Sequence, residues 1–240
     1  MLTLCYDGTE YHGFQRQENG ITIQEVIETA IKKVTGEKVS ITGCSRTDAG
    51  VHATEYVCNF RTESSVPADK FCFAINSFLP EDVSCTASSE VDMDFHARYS
   101  AKAKTYTYTI YNAPHRNPVL CRFAWHYPVK IDIDKMKIAA KAIVGTHDFT
   151  AFMASGGQQK TTVKTVNFLD ITTHENKIDI TINADGFLYN MVRIIAGTLV
   201  YAGVGKIDPN DVPAIIESGD RTLAGITAPP QGLCLKKLFY

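Results

Sequence analysis

The chain has 240 residues, with 24 Lys and Arg against 26 Asp and Glu, a formal charge of −2, and 45% hydrophobic residues. This balance excludes disordered, collagen-like and coiled-coil classes, and a chain this long buries roughly 70% of its unfolded surface in one large or two small cores. The near-neutral total also argues against a nucleic-acid partner, which usually brings an excess of Lys and Arg.

The first ten residues carry neither a basic region nor a long apolar run, so no signal peptide is expected. No stretch reaches the roughly 18 apolar residues of a membrane span. Leu2, Leu4 and Tyr6 alternate as a half-buried strand does. Thr22-Ile23-Gln24-Glu25 forms a capping box, with Ile21 placed to staple against Val26. Ile23, Val26, Ile27, Ala30, Ile31 and Val34 follow helical spacing up to Gly36. Strands are expected over 37–43 and 53–60. Pro67 opens a second helix with Phe71, Ala74, Ile75 and Phe78 as its apolar stripe, and a strand follows near 83–90.

The second half repeats this order. Residues 104–111 alternate as a strand with Tyr106, Tyr108 and Ile110 on one face. Asp134 is placed to cap a helix carrying Met136, Ala139, Ala140, Ile143 and Val144, stopped by Gly145. Strands over 163–171 and 177–184 flank His174-Glu175-Asn176, which suits a hairpin turn. Leu188, Met191, Val192, Ile195 and Leu199 form a last helical stripe, with Tyr189, Asn190, Arg193 and Gly197 on another face. A strand near 231–239 closes the chain. Each half reads β-α-β-β-α-β. The expected fold is therefore α+β, with two ferredoxin-like halves (1–100 and 101–240) of mainly antiparallel sheet forming a central cleft.

Cys5, Cys44, Cys58, Cys72, Cys85, Cys121 and Cys234 are odd in number and contain no C-x-x-C pair. They read as reduced, mostly buried thiols of a cytoplasmic protein rather than as disulfides or a metal site. The charge is uneven along the chain. Between Asp94 and Asp132 there is no acid, while Arg98, Lys102, Lys104, Arg116, Arg122 and Lys130 are interleaved with Tyr99, Tyr106, Tyr108, Tyr111, Phe123 and Trp125. Further acid-free windows run over 149–169, 186–207 and 221–240. Basic and aromatic side chains in alternation suit phosphate contact with base stacking, so the windows point back to RNA.

The sharpest local feature is the polar loop Gly43-Cys44-Ser45-Arg46-Thr47-Asp48-Ala49-Gly50-Val51-His52-Ala53. Gly50 permits a tight turn, and Arg46 can hold a nearby carboxylate ionised. With only His52 close by and no second carboxylate, a metal role fits poorly. Taken alone, Asp48 reads as a turn residue bonding its own backbone. Asp-Ala-Gly also loosely resembles the loop of aspartic proteases, which need two such carboxylates.

Together with Tyr6-Asp7-Gly8-Thr9, Gly13-Phe14-Gln15, Phe95-His96-Ala97-Arg98, His147-Asp148-Phe149, Gly186–Ile195 and Ala224–Pro229, this loop resembles the signatures of the TruA family of tRNA pseudouridine synthases over essentially the whole chain. The resemblance implies an isomerase that converts uridine to pseudouridine in the anticodon stem-loop of tRNA, at about positions 38 to 40. It implies a cytoplasmic homodimer that uses no cofactor or metal. It places the nucleophile at Asp48, the stacking tyrosine at Tyr106 and the carboxylate's basic partner at Arg193. Arg46 would hold the space of the flipped base, and Leu233 or Leu235 would make the terminal apolar contact. The residue before Arg46 is commonly glycine in that family and is Ser45 here. Two other readings are a non-catalytic RNA-binding protein with two RRM-like halves, for which no K/R-G-F/Y-G/A-F-V segment occurs, and a dimeric aspartyl hydrolase.

Overall fold

The computed structural model describes residues 1–157 and 161–240. The acid-free window 149–169 thus falls partly outside the described residues. The fold is α+β, and the chain divides into two compact units, Met1–Lys102 with Cys234–Tyr240, and Ala103–Leu233.

In the first unit, β1 (Leu2–Tyr6) buries alternate residues as the pattern predicts. The helix α1 (Ile23–Thr35) starts at Thr22, whose hydroxyl accepts from Glu25 N at 3.4 Å, and ends on Gly36 in the left-handed conformation. Its stripe buries Ile23, Ile27, Ala30 and Ile31. The Ile21 staple does not form: that side chain is 61% exposed, while its carbonyl accepts from His12 N. The first-turn amides of Ile23 and Gln24 instead donate to the carbonyls of Gly13 and Phe14.

The strand expected over 37–43 shrinks to β2 (Thr42–Gly43), which pairs with β3 (His52–Asn59). The amides of Ile41 and Glu63 are taken by the carboxylates of Glu28 and Glu37, so the segment before β2 has side-chain partners instead of a ladder. After a 3-10 turn over Ala68–Lys70, α2 (Phe71–Asn76) is shorter than its stripe predicted. The Asn76 amide group grips both N and O of Cys85 at 2.8 Å in β4 (Val83–Ser88), the chain turns at Ser77, and Phe78 is left exposed. Cys72 joins Phe71 and Ile75 in the core in its place. β1 lies between β3 and β4, antiparallel to both.

The second unit opens with β5 (Ala103–Tyr111), with β6 (Trp125–His126) parallel to its end. The helix α3 (Ile133–Ile143) is capped by Asp132, not Asp134: the Asp132 carboxylate accepts from the amides of both Asp134 and Lys135. That cap buries Ile131 just before it and Met136 in the next turn, both against Gly203, as a hydrophobic staple does. Val144 is exposed just past the helix end.

The sheet continues through β7 (Gly145–Asp148), β8 (Val163–His174) and β9 (Lys177–Ala184), in the order β5-β9-β8-β7 and antiparallel throughout. The two-residue turn Glu175-Asn176 joins β8 to β9, as predicted. Tyr106, Tyr108 and Ile110 lie on one face of β5. On the other, Thr105, Thr107 and Thr109 bond across to Asn183, Thr181 and Asp179.

The helix α4 (Met191–Gly203) has almost every residue buried, so burial extends well beyond the expected stripe and takes in Gly197 on the other face. It begins after Asn190, which is left-handed at φ 60°, so Tyr189 and Asn190 precede the helix rather than line it. A short α5 (Val212–Ser218) follows. The last strand, β10 (Leu233–Phe239), takes its residues from Cys234 onward into the first unit, parallel to β3 with Leu235 opposite Ala53. Chain order had placed it with the second half.

Candidate active site

In the first unit, the loop between β2 and β3 is pinned on several sides. Cys44 N donates to Val57 O, and the Tyr56 hydroxyl donates to Ser45 O while Ser45 N lies 3.4 Å from the Tyr56 hydroxyl oxygen. The Tyr56 ring stacks on Phe14 with centroids 4.2 Å apart and leans against Tyr6. The Tyr6 hydroxyl in turn meets Thr47 Oγ1 at 3.1 Å in a buried contact. Phe14 N donates to Thr47 O, and the Gly8 amide, which can only donate, reaches His52 Nδ1 at 3.1 Å. Asp7 Oδ1 is 3.1 Å from the same nitrogen. The separate motifs Tyr6–Thr9 and Gly13–Gln15 are therefore the two walls of the Asp48 loop.

Asp48 sits at the start of a tight turn in which Val51 N donates to Asp48 O at 3.2 Å. Gly50, the third residue of that turn, has φ 77°, the left-handed conformation a type II turn demands there. Asp48 is half-buried and Arg46 exposed. The turn thus presents a carboxylate from a frame fixed by buried aromatic side chains. Burial pushes the Tyr56 hydroxyl well above the ordinary tyrosine range, which keeps it a proton donor to Ser45 O.

In the second unit, Arg193 lies in the first turn of α4. Its Nε donates to Ala228 O and its Nη1 to Asn190 Oδ1, both at 2.7 Å. The left-handed Asn190 that starts the helix is thus also a holder of the guanidinium. Ala228 N returns a bond to Arg193 O. One turn further along, the segment Ala224–Pro229 presses on α4 at Gly197, where an added Cβ would meet Ile226 O at 1.9 Å. The close approach that Gly197 permits is to this backbone. The Thr198 hydroxyl accepts from Gly225 N at 2.8 Å and donates to Ile194 O. Arg221 ties the same segment through Gly225 O and Thr227 Oγ1.

Tyr106 is buried, with the ring of Phe187 edge-on at 5.2 Å. Its neighbour Tyr108 is occupied structurally: its hydroxyl donates to Pro229 O, and burial pushes it far above the ordinary tyrosine range. Leu233 and Leu235 are both buried, Leu235 completely, and they fall in different units.

The acid-free windows divide in the structure. Arg98, Lys102, Arg116, Arg122 and Lys130 are exposed, as are Tyr99 and Phe123, whereas Tyr106, Tyr108 and Trp125 are core. The window 186–207 is largely the buried α4 and offers little surface. All seven cysteines are free thiols, and burial pushes Cys85 up to about 12. Among the described residues, no three His, Cys, Asp or Glu side chains group to hold a metal, and no helix is long and apolar enough to cross a membrane.

Comparison with known proteins decides between the readings of the chain. A family profile described as tRNA pseudouridine synthase matches residues 4–100 and 139–240. The chain belongs to the tRNA pseudouridine synthase family. Curated relatives agree over full length. Proteins named tRNA pseudouridine synthase A from Thermoanaerobacter sp. strain X514 and Clostridium acetobutylicum are 52% and 48% identical, over 100% of this chain and 98% of each relative. A protein named tRNA pseudouridine synthase A 2, from Clostridium perfringens, is 51% identical over the same extent.

This family is one of isomerases that act on tRNA, and its membership carries no support for the RRM-like or aspartyl hydrolase readings. Among the family's motifs, the glycines and turn residues were legible in the sequence. Tyr56 and Ala228, which hold the loop and the arginine, carry no local signal because their partners lie 11 and 35 residues away in the chain. The Tyr56 contact yields a direct prediction. Tyr56→Phe keeps the stack on Phe14 and removes only the bonds to Ser45, so it should lower unfolding stability by about 1–3 kcal/mol in urea titrations. An unchanged midpoint would show that Ser45 needs no such anchor.

Proposed function

We propose that this chain isomerises uridine to pseudouridine in the anticodon stem-loop of tRNA, at about positions 38 to 40, with Asp48 as the nucleophile. The observation that carries this reading is the Asp48 turn itself, a half-buried carboxylate on a loop pinned by Tyr6, Phe14 and Tyr56, in a chain of this family. The base is detached from C1′ of the ribose, rotated and rejoined through C5, whose proton leaves. No electrons and no external group are exchanged. An ionised, positioned carboxylate begins such covalent catalysis without a cofactor or metal.

Arg193 supplies the basic group of the reaction, and its guanidinium is already oriented by Ala228 and Asn190. Tyr106 stacks on the uracil, its own ring steadied by Phe187. Arg46, exposed two residues before the nucleophile, fills the place of the flipped base and offsets the few kcal/mol of unstacking. Of the two leucines, Leu233 retains 7% of its surface and Leu235 none, which favours Leu233 for the apolar contact to the base. The first unit carries the catalytic loop, and the second contributes basic and aromatic residues to tRNA binding. A cytoplasmic homodimer completes a tRNA footprint that a chain of 240 residues covers incompletely.

The test uses tRNA carrying tritium at uridine C5. The enzyme should release one tritium to water per pseudouridine formed, and mapping tRNA from a deletion strain should show uridine restored at about positions 38 to 40. Absence of release, or of any mapped change, would overturn the assignment.

A further inference from the structure

Outside the Asp48 loop, the first unit holds one aromatic side chain in an unusual state. Tyr99 is 78% exposed, yet it belongs to a tightly organised turn. His96 N donates to Ser100 Oγ and Ser100 N to His96 O, closing the turn. Inside it, His96 Nδ1 accepts from the amides of both Arg98 and Tyr99, at 3.1 and 3.2 Å. The base of the turn is anchored too: Ala97 N donates to Asn59 Oδ1 at 2.9 Å, and Ala97 O accepts from the Tyr240 hydroxyl at 2.8 Å.

A large ring on a mobile loop can fold down onto the surface; this one is held away from it. His96 backs the Tyr99 ring, with centroids 4.3 Å apart and planes 34° from parallel. The Arg98 guanidinium lies 5.8 Å from the ring centroid, and Lys102 is exposed just beyond. Asp92 and Asp94 precede the turn, and no acid follows it until Asp132. A preordered, solvent-facing ring with cations beside it has the parts of a single-strand stacking platform: a π-face for a base and a positive charge for its phosphate.

We propose that Tyr99 is a stacking site for an unpaired nucleobase of the bound tRNA, with Arg98 taking the adjoining phosphate. The site is separate from the uridine-converting residues and serves affinity. It rests on the reading that the chain acts on tRNA. An exposed ring held by backbone bonds loses little conformational freedom on binding, so the platform returns most of its stacking energy as affinity.

The experiment measures the Kd of an unmodified tRNA transcript by filter binding across a salt series, together with single-turnover tritium release at saturating tRNA. Tyr99→Ala should raise Kd roughly 5- to 150-fold with the release rate and the salt slope unchanged. Tyr99→Trp should restore affinity, and its added fluorescence should be quenched by tRNA. Arg98→Ala should reduce the salt slope by roughly 0.7 to 0.9, the release of one phosphate's counterion. A Tyr99→Ala Kd within twofold of wild type, in an enzyme that binds and modifies tRNA, overturns the platform alone. Loss of affinity that Tyr99→Trp does not rescue, with a lowered Tm, overturns it in favour of a role in the fold. Failure of the wild type itself to bind tRNA would overturn the functional reading beneath it.

Discussion

Asp48→Asn should abolish pseudouridine formation while leaving tRNA binding within a few-fold of wild type. Asparagine has nearly the same size and shape as aspartate, and the bond that closes the turn runs between the backbones of Val51 and Asp48, which the substitution leaves alone. Gly50 keeps its left-handed conformation, and Tyr6, Phe14 and Tyr56 still pin the flanks. What disappears is the negative charge on which the proposed nucleophilic role rests. Removal of a covalent nucleophile typically costs far more than any positioning contact, so the rate should fall by at least about 10³-fold. Tritium release from C5-labelled tRNA reads the chemistry, and filter binding reads the complex. Equal release by mutant and wild type would remove Asp48 from the nucleophile's role, and loss of binding alone would make it a recognition residue.

The elements read well from sequence were those whose decisive interactions are local. Thr22 and Gly36 bracket α1, Leu2, Leu4 and Tyr6 alternate in β1, and the turn at Glu175-Asn176 joins two regular strands. The misread elements were decided at a distance. Two aspartates compete to cap α3, and Asp132 wins because Ile131 and Met136 can then both pack against Gly203, a residue of another helix. The helix α2 stops at Asn76 because Asn76 bonds the backbone of Cys85. The strand expected over 37–43 is mostly absent because the carboxylates of Glu28 and Glu37 satisfy amides there and beside it. The partner of β10 is β3, some 180 residues earlier, a choice no local periodicity encodes.

The candidate site divides in the same way. Asp48 and Gly50 announce themselves through a contiguous motif, and the left-handed turn follows from its glycine. The charge total misled because acids and bases are segregated along the chain. The windows misled in turn, since much of the 186–207 segment is core. Only the structure separates Tyr99, which faces solvent, from Tyr106 and Tyr108, which do not.

Gly197→Ala should damage the enzyme beyond its effect on stability. The added methyl would sit 1.9 Å from Ile226 O and 2.9 Å from Ile226 C, and backbone cannot yield as a side-chain tip does. The segment Ala224–Pro229 must therefore move outward, straining the bond from Gly225 N to Thr198 Oγ1. Overpacking of this kind costs about 1–3 kcal/mol, which lowers Tm by roughly 2–12 °C in a chain of this size. The same displacement carries Ala228, whose carbonyl accepts from Arg193 Nε at 2.7 Å, so the guanidinium loses its anchor at Ala228 and keeps the one at Asn190. In the catalytic role proposed for Arg193, a shift of about an ångström in its charge costs as much as 10²-fold in rate. Single-turnover tritium release, measured well below the variant's Tm, should fall at least tenfold. Gly36→Ala supplies the control. It strains the left-handed end of α1 at φ 77°, with nothing within 4 Å of the new methyl, and should lower Tm without slowing release. If both variants lose stability and neither loses rate, the packing of Ala224–Pro229 on α4 supports the fold alone and Arg193 does not depend on it.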